Sequence, residues 1–273
     1  MQATSVVSDA LFKGTGAQDE TGPAIASDGA GRAAKAGFDN PVGIAGGCSQ
    51  CRLRSDCLAS DLSRGELDDF KAPFITHRRV KFGGALFRAT DPFRALYRLR
   101  SGFVKTSMLL PDGREQVTGF HMPGALLGLD AVGSGFHPSD AVALDECDVC
   151  VMPYDRLEDL SVERKPLACH VQRLLSAEIV REQSMMLLLG SMQAEERVAS
   201  LLLNLSERFA KLGYSPSEFI LRMTRDEIGS LLGMNLETVS RVFSKLCKAG
   251  MIEIHGKHVR IIDMERLRAV TQK

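Results

Sequence analysis

The sequence predicts an α+β chain in which an antiparallel β-roll is followed by one long helix and then by a winged helix-turn-helix. Three observations carry that prediction. Short apolar runs broken by Gly, Pro and Asp-Gly fill the stretch from Phe70 to about Met152, good helix formers run without Gly or Pro from just after Pro166 to Leu189, and two short capped helix patterns flank Gly233. A chain of 273 residues with 44% hydrophobic content has enough apolar surface for two cores of ordinary size.

Taken in order, residues 1–47 are rich in Gly, Ala, Ser, Thr and Asp, show neither a period of two nor of 3.6, and read as a disordered leader. Residues 48–160 form the expected β-roll domain. Its strand candidates are Ala85 to Phe87, Ala95 to Leu99, Phe103 to Leu110, Gln116 to Phe120 and Ala141 to Met152. Between two of them, Pro111-Asp112-Gly113 is a hairpin turn, because Pro presets φ and Gly accepts a positive one.

Residues 161–193 are expected to carry the long helix. Leu175, Ile179, Glu182, Met186 and Leu189 recur at steps of four, three, four and three, the spacing of a coiled-coil seam. That stripe suits a packed core helix or a two-fold homodimer, and Glu182 favours the dimer. There the carboxylate would face its own copy and weaken the association enough for it to be switched.

Residues 194–273 carry the winged helix-turn-helix, with helices expected at Ala194 to Leu212, Arg225 to Leu232 and Leu236 to Ala249. Thr224-Arg225-Asp226-Glu227 fits a capping box, and after Gly233 the chain restarts with Asn235 as N-cap. Val239, Phe243 and Leu246 form the buried stripe of the last helix, while Glu237, Ser240, Arg241 and Lys245 share its other face. Arg241 can donate twice to guanine and Glu237 can accept from cytosine N4; the plainer alternative is an i,i+4 surface pair. Met251 to His255 and His258 to Ile262 read as the two strands of a wing. Lys245, Lys248, Lys257 and Arg260 are the phosphate-contact candidates. The whole chain has 34 basic and 34 acidic residues, so any DNA-binding surface has to be local; from Ala194 onward 13 Lys and Arg face 10 Asp and Glu.

Seven cysteines, at 48, 51, 57, 147, 150, 169 and 247, suit metal or redox chemistry better than a disulfide framework in the cytoplasm, where the lack of an export signal or apolar span places the chain. Cys48, Cys51 and Cys57 put three thiols within ten residues and call for a fourth. If Cys147 to Met152 is a strand, Cys147 shares a face with Val149 and Val151 and reads as core. Cys150 shares the opposite face with Asp148 and Met152 and is the fourth candidate. Spacing alone leaves zinc and iron–sulfur open. Cys169 and Cys247 read as small hydrophobes. No hydrolytic constellation, phosphate-cradling loop or paired catalytic acid suggests an enzyme.

The order of elements resembles the CRP/FNR superfamily of bacterial regulators, and within it the FNR group. The resemblance runs from Cys48 to about Asp263. Its most specific marks are Cys48-x2-Cys51-x5-Cys57, Thr118-Gly119-Phe120-His121 with Gly128 to Gly135, and Glu237-Thr238-Val239-Ser240-Arg241. The resemblance implies a jelly roll of the cyclic-nucleotide-binding type. It also implies an oxygen-labile [4Fe–4S] cluster on Cys48, Cys51, Cys57 and Cys150, and double-stranded DNA read by Glu237, Ser240 and Arg241 at an inverted repeat of TTGAT-like half-sites. The loop Pro111 to Glu115 resembles a surface that relatives offer to RNA polymerase. Members that bind cyclic AMP carry a Gly-Glu-Leu segment and an Arg-Ser pair. Here those stretches read Gly124-Ala125-Leu126-Leu127 and His137-Pro138-Ser139-Asp140, so cyclic nucleotide control is not expected. Other relatives use haem, for which His77 or His121 are candidates, though a lone His is more often structural. At the seam position of Glu182 a member of the family carries Asp, the same charge on a shorter stem.

Overall fold

The computed structural model describes residues 51, 53, 57, 58 and 75–272, all within one compact unit spanning residues 39–273. The leader and Cys48 lie outside the described residues.

Among the described residues, eight strands build the roll: β1 (Thr76–Val80), β2 (Ala85–Phe87), β3 (Ala95–Ser101), β4 (Val104–Leu109), β5 (Glu115–His121), β6 (Leu126–Leu127), β7 (Asp140–Ala143) and β8 (Cys147–Pro153). They form two four-stranded sheets, ordered β1-β8-β3-β6 and β2-β7-β4-β5, with antiparallel pairings throughout. The two inner faces meet over Leu86, Phe87, Leu99, Val104, Leu127, Ala141, Ala143, Cys147 and Val149. The predicted hairpin closes β4 onto β5, with the Gly113 amide donating to the Leu110 carbonyl at 2.9 Å and Gly113 at φ +86.

The expected run from Ala141 to Met152 is two strands, β7 and β8, because Leu144 to Glu146 turn the chain from one sheet to the other. β1 was not anticipated. Its Thr-His-Arg-Arg-Val sequence has no apolar alternation, and it is a strand only because β8 offers it a partner edge.

After Pro153 comes α1 (Tyr154–Glu163), another unanticipated element, whose two buried residues are Leu157 and Leu160. The chain is extended at Arg164 and re-enters helix as α2 (Lys165–Ser191), with Pro166 in its first turn, where a missing N–H costs nothing. Two stripes run along α2. Leu167, Val171, Leu174, Glu178, Arg181, Met185 and Leu188 face inward, whereas the neighbouring stripe leaves Ile179 and Met186 58% and 66% exposed.

The C-terminal part comprises α3 (Ala194–Lys211), β9 (Glu218–Ile220), α4 (Arg225–Leu232), α5 (Leu236–Lys248), β10 (Ile252–His255), β11 (His258–Ile261) and α6 (Met264–Val270), with its sheet ordered β10-β11-β9. Its core is Val198, Leu202, Leu205, Ile228, Leu232, Val239, Phe243, Leu246, Val259 and Leu267, all nearly sealed from solvent. β9 and α6, three and seven residues long, escaped sequence reading because neither is long enough to show a period.

Candidate nucleic-acid interface and thiol site

Local sequence sets the geometry of the helix pair α4 and α5. Thr224 accepts from the Glu227 amide at 3.1 Å and Glu227 accepts from the Thr224 amide at 2.8 Å, completing the capping box. Gly233 ends α4 at φ +64, and Asn235 caps α5 by accepting from the Thr238 amide at 2.8 Å. Where the helices cross, a Cβ on Gly229 would stand 2.5 Å from the Met234 carbonyl oxygen, so only glycine lets the turn close this tightly.

α5 buries Val239, Val242, Phe243 and Leu246 and turns its opposite face outward. Glu237, Arg241 and Lys245 are exposed there, and Ser240 is half-buried. Arg241 donates to Thr238 Oγ1 at 3.3 Å, within its own helix, so its guanidinium is not committed to Glu237. Lys245 pairs with Glu195 of α3. That contact is exposed, and such pairs contribute at most about 1 kcal/mol, so a phosphate could displace it. Lys257 donates to the Arg222 carbonyl at 3.2 Å at the tip of the wing, and Lys248 and Arg260 are exposed.

The helix pair is moored to the roll, which the sequence did not reveal. Lys105 of β4 bridges Glu115 of β5 at 2.9 Å and Glu227 of α4 at 3.0 Å. Burial pulls the Lys105 ammonium down, but the hydrogen bonds it donates to both carboxylates outweigh it and hold its pKa above the ordinary value. Ser230 Oγ accepts from the Val117 amide at 2.8 Å, and Gln116 donates to the Ser230 carbonyl.

Behind this contact lies a second junction. His121 is sealed at the end of β5, 3.0 Å from Thr106 Oγ1. Burial, reinforced by Arg181 of α2 and Arg208 of α3, pushes its pKa down to about 3. Arg208, which donates to the Phe120 carbonyl at 3.0 Å, is itself lowered to about 10, by burial and then by Arg181.

Cys150 lies on the outer face of the β1-β8-β3-β6 sheet. Cys147 and Val149 point into the roll, whereas Met152, in the other parity, packs outside with Leu58, Leu96, Leu157, Leu160 and Leu167. Cys150 shares the outer parity and is 6% exposed. Its cross-strand partners are His77 and Arg98, and its Sγ lies 3.8 Å from His77 Nδ1. Leu58 is 1% exposed in the same outer cluster as Met152, and Leu53 comes within 3.9 Å of where a Cβ on Gly124 would stand. Leu58, next to the buried Cys57, thus packs on the sheet face that carries Cys150. Among the described residues, no three His, Cys, Asp or Glu side chains lie close enough to hold a metal ion, and Cys48 is outside them. The donor set is soft thiolate, the type suited to iron–sulfur or zinc. Of the other residues singled out earlier, Cys169 is exposed on α2 and Cys247 is half-buried on α5.

Comparison with known proteins gives this geometry a context. The family model for the Crp-like helix-turn-helix domain matches residues 196–270, and that for the cyclic nucleotide-binding domain matches residues 77–164. The fumarate and nitrate reduction regulatory protein of Salmonella typhimurium is 42% identical over 223 residues, covering 82% of this chain and 89% of that one. Its counterpart in Escherichia coli K12 is 42% identical over 220 residues, with coverages of 81% and 88%. Among solved structures, FixK2 from Bradyrhizobium japonicum superposes with a TM-score of 0.66 at 30% identity, covering 72% of this chain and 96% of its own. A CRP-family transcriptional regulator from Thermus thermophilus, at 23% identity and a TM-score of 0.58, covers 72% and 97% and shares the fold. No described helix is long and apolar enough to cross a membrane. With relatives this similar over this much of its length, the chain belongs to the fumarate and nitrate reduction group of Crp-like, DNA-binding transcription regulators.

Proposed function

We propose that this regulator answers to oxygen in the cytoplasm through a [4Fe–4S] cluster held by Cys48, Cys51, Cys57 and Cys150, and that the cluster controls whether two copies pair on DNA. One observation carries the reading. Leu58 is buried against Met152, two residues along β8 from Cys150, so the thiol-bearing segment is anchored on the sheet face that bears the fourth thiol. When bound, the cluster would supply an oxygen-labile centre tying that segment to the sheet. The same outer cluster includes Leu157 and Leu160 of α1 and Leu167 at the start of α2, which gives Leu58 a packed route to the long helix.

On α2 the half-buried Leu175 and the exposed Ile179, Glu182 and Met186 would form the homodimer seam. Glu182 accepts from Arg181 at 2.5 Å in the single chain, a local pairing that would moderate the repulsion between two Glu182 carboxylates. Dimerisation would present two α5 helices to an inverted repeat of TTGAT-like half-sites, since two-fold protein symmetry matches two-fold operator symmetry. Glu237, Ser240 and Arg241 would read base edges, Lys245 would exchange Glu195 for a phosphate, and the Pro111 to Glu115 turn would meet RNA polymerase. Cyclic nucleotide is not the signal in this reading, because His137 stacks on Phe87 with ring centroids 3.8 Å apart in the stretch that holds an Arg-Ser pair in cyclic-AMP-binding relatives.

The test is anaerobic purification with iron and sulfide analysis and absorption spectra before and after air, repeated with each of the four cysteines changed to serine. The reading expects loss of iron and of anaerobic binding to the inverted repeat in every variant. Zinc in place of iron and sulfide would favour a metal-stapled regulator without oxygen sensing. Binding to DNA that air leaves unchanged would end the oxygen reading.

A further inference from the structure

Arg98 sits on the outer face of the β1-β8-β3-β6 sheet with only 5% of its surface exposed, and its Nε is buried without a hydrogen-bond partner. Nearby arginines are engaged. Arg100 donates to Asp148 Oδ2 at 3.0 Å and lies 3.0 Å from His77 Nδ1, and Arg78 donates to the Leu86 carbonyl at 2.7 Å. A guanidinium stays charged at any working pH, and a buried N–H left without an acceptor costs free energy.

The register shows where that charge stands. Arg98 is the cross-strand partner of Cys150 on β8 and of Leu126 on β6. Cross-strand partners share a face with Cβ atoms about 4.5–5.5 Å apart. On the same face Leu96 and Met152 pack with Leu58, so Arg98 lies where the Cys57-Leu58 segment meets the sheet. Asp148 has the same parity on β8 as Cys150. Its Oδ2 is taken by Arg100, and its Oδ1 is also buried without a partner, so the two unsatisfied atoms do not satisfy each other.

We propose that Arg98 is the counter-charge for an anion seated at Cys150, namely the thiolate-held iron–sulfur group of the function proposed above, on which this inference rests. Thiolates are favoured beside positive charge, and the charge and hydrogen bonds around a cluster set its properties. Arg98 is a positioning residue here and ligates nothing. The orphaned Nε–H of Arg98 costs free energy in the metal-free protein and would gain an acceptor on loading.

The experiment compares the full chain with Arg98→Met, which keeps the bulk and removes the charge, and with Arg98→Lys, which keeps the charge. Each is purified without oxygen, with and without iron and sulfide. Arg98→Met is expected to release iron to a chelator about tenfold faster than the parent, with Arg98→Lys restoring most of the difference. Metal-free Arg98→Met is expected to melt at the parent temperature or above it, and to gain less on loading. An unchanged release rate, or an equal loss of melting temperature in both states, would reduce Arg98 to packing or to a partner for Asp148 and overturn the proposal. Failure of metal-free Arg98→Met to fold would overturn it as well. Should the parent itself take up neither iron nor sulfide, the cluster reading falls and takes this inference with it. A loaded parent beside an indistinguishable Arg98→Met sinks this inference alone.

Discussion

α5 and the outer face of the β1-β8-β3-β6 sheet both hold candidate functional residues, but they are assembled in opposite ways. On α5 the residues lie within nine positions of one helix, whose start is fixed by Asn235 and whose roll angle is fixed by Val239, Val242, Phe243 and Leu246. On the sheet, His77, Arg98, Cys150 and the Cys57-Leu58 segment come from four stretches of chain joined only by strand register and by one apolar cluster. A site of the first kind should respond to mutation residue by residue. One of the second kind should respond to the packing that assembles it, including residues with no chemistry of their own.

The largest expected effect tests the local half of that contrast. Arg241→Ala should remove a base contact of about 1–3 kcal/mol at each half-site, and so about 2–6 kcal/mol over an inverted repeat. Gel-shift titrations at fixed salt should show the loss with thermal stability unchanged, since Arg241 is exposed. A drop in stability of similar size would mean that α5 is less independent than its caps suggest.

For the assembled half, Leu58→Ala should destabilise the roll by about 2–5 kcal/mol, the usual cost of emptying a sealed leucine site. It should also speed anaerobic loss of iron while leaving the affinity of a dimer for DNA unaltered. Denaturant melts and iron release measured on the same samples check both. Iron retention that survives the packing loss would uncouple Leu58 from Cys150 and break the comparison.

His121 sharpens it further, being buried where β4, β5, α2 and α3 meet, with Thr106, Glu178, Arg181 and Arg208 around it. Its folded pKa of about 3 lies below the ordinary 6.5, so in that window the unfolded chain binds a proton that the folded chain refuses. Stability is therefore fully present above about pH 6.5 and falls by ~1.4 kcal/mol per unit as pH drops toward 3. His121→Gln, which keeps a hydrogen bond to Thr106 within reach, should lose that part of the slope in denaturant titrations across the range. An identical slope in the variant would assign the acid sensitivity to other groups.

The smallest effect concerns the two stripes of α2. Glu182→Ala should tighten self-association by about 1 kcal/mol, the scale of a partly screened like-charge contact, and leave monomer stability within about 0.5 kcal/mol. Sedimentation at several concentrations would read the first and thermal melts the second. Weaker association would mean that Glu182 supports the seam, for example through the partner copy.

Much of the fold could be read directly. The strands β2 to β5, the hairpin at Pro111-Asp112-Gly113 and the ranges of α3, α4 and α5 follow from alternation, turn chemistry and caps, which act over a few residues. The seam stripe was legible as a period, but that α2 carries a second, inward stripe displaced by one residue was not, because both stripes repeat at the same spacing. The parity of Cys147 and Cys150 was also legible, and the structure has Cys147 in the roll and Cys150 on the other face. Arg98, Leu58, Lys105 and Ser230 gave no comparable sign. β3 alternates Leu96, Arg98 and Arg100 against Ala95, Tyr97 and Leu99, which marks the parity of Arg98 and says nothing of what covers that face.

The sequence by itself determined the caps and buried stripe of α5, the turns of the roll, the three-thiol spacing and the faces of its strands. These depend on backbone preferences and side-chain periodicity that neighbouring residues settle among themselves. Tertiary structure alone decided that Lys105 reaches Glu227, that Leu58 joins the apolar cluster on the face of Cys150, and that Arg98 is left with its Nε–H buried and without an acceptor. Those outcomes depend on which sheet face meets which distant segment, a choice made by the total apolar area buried when the whole chain packs, and no short window of residues contains that sum.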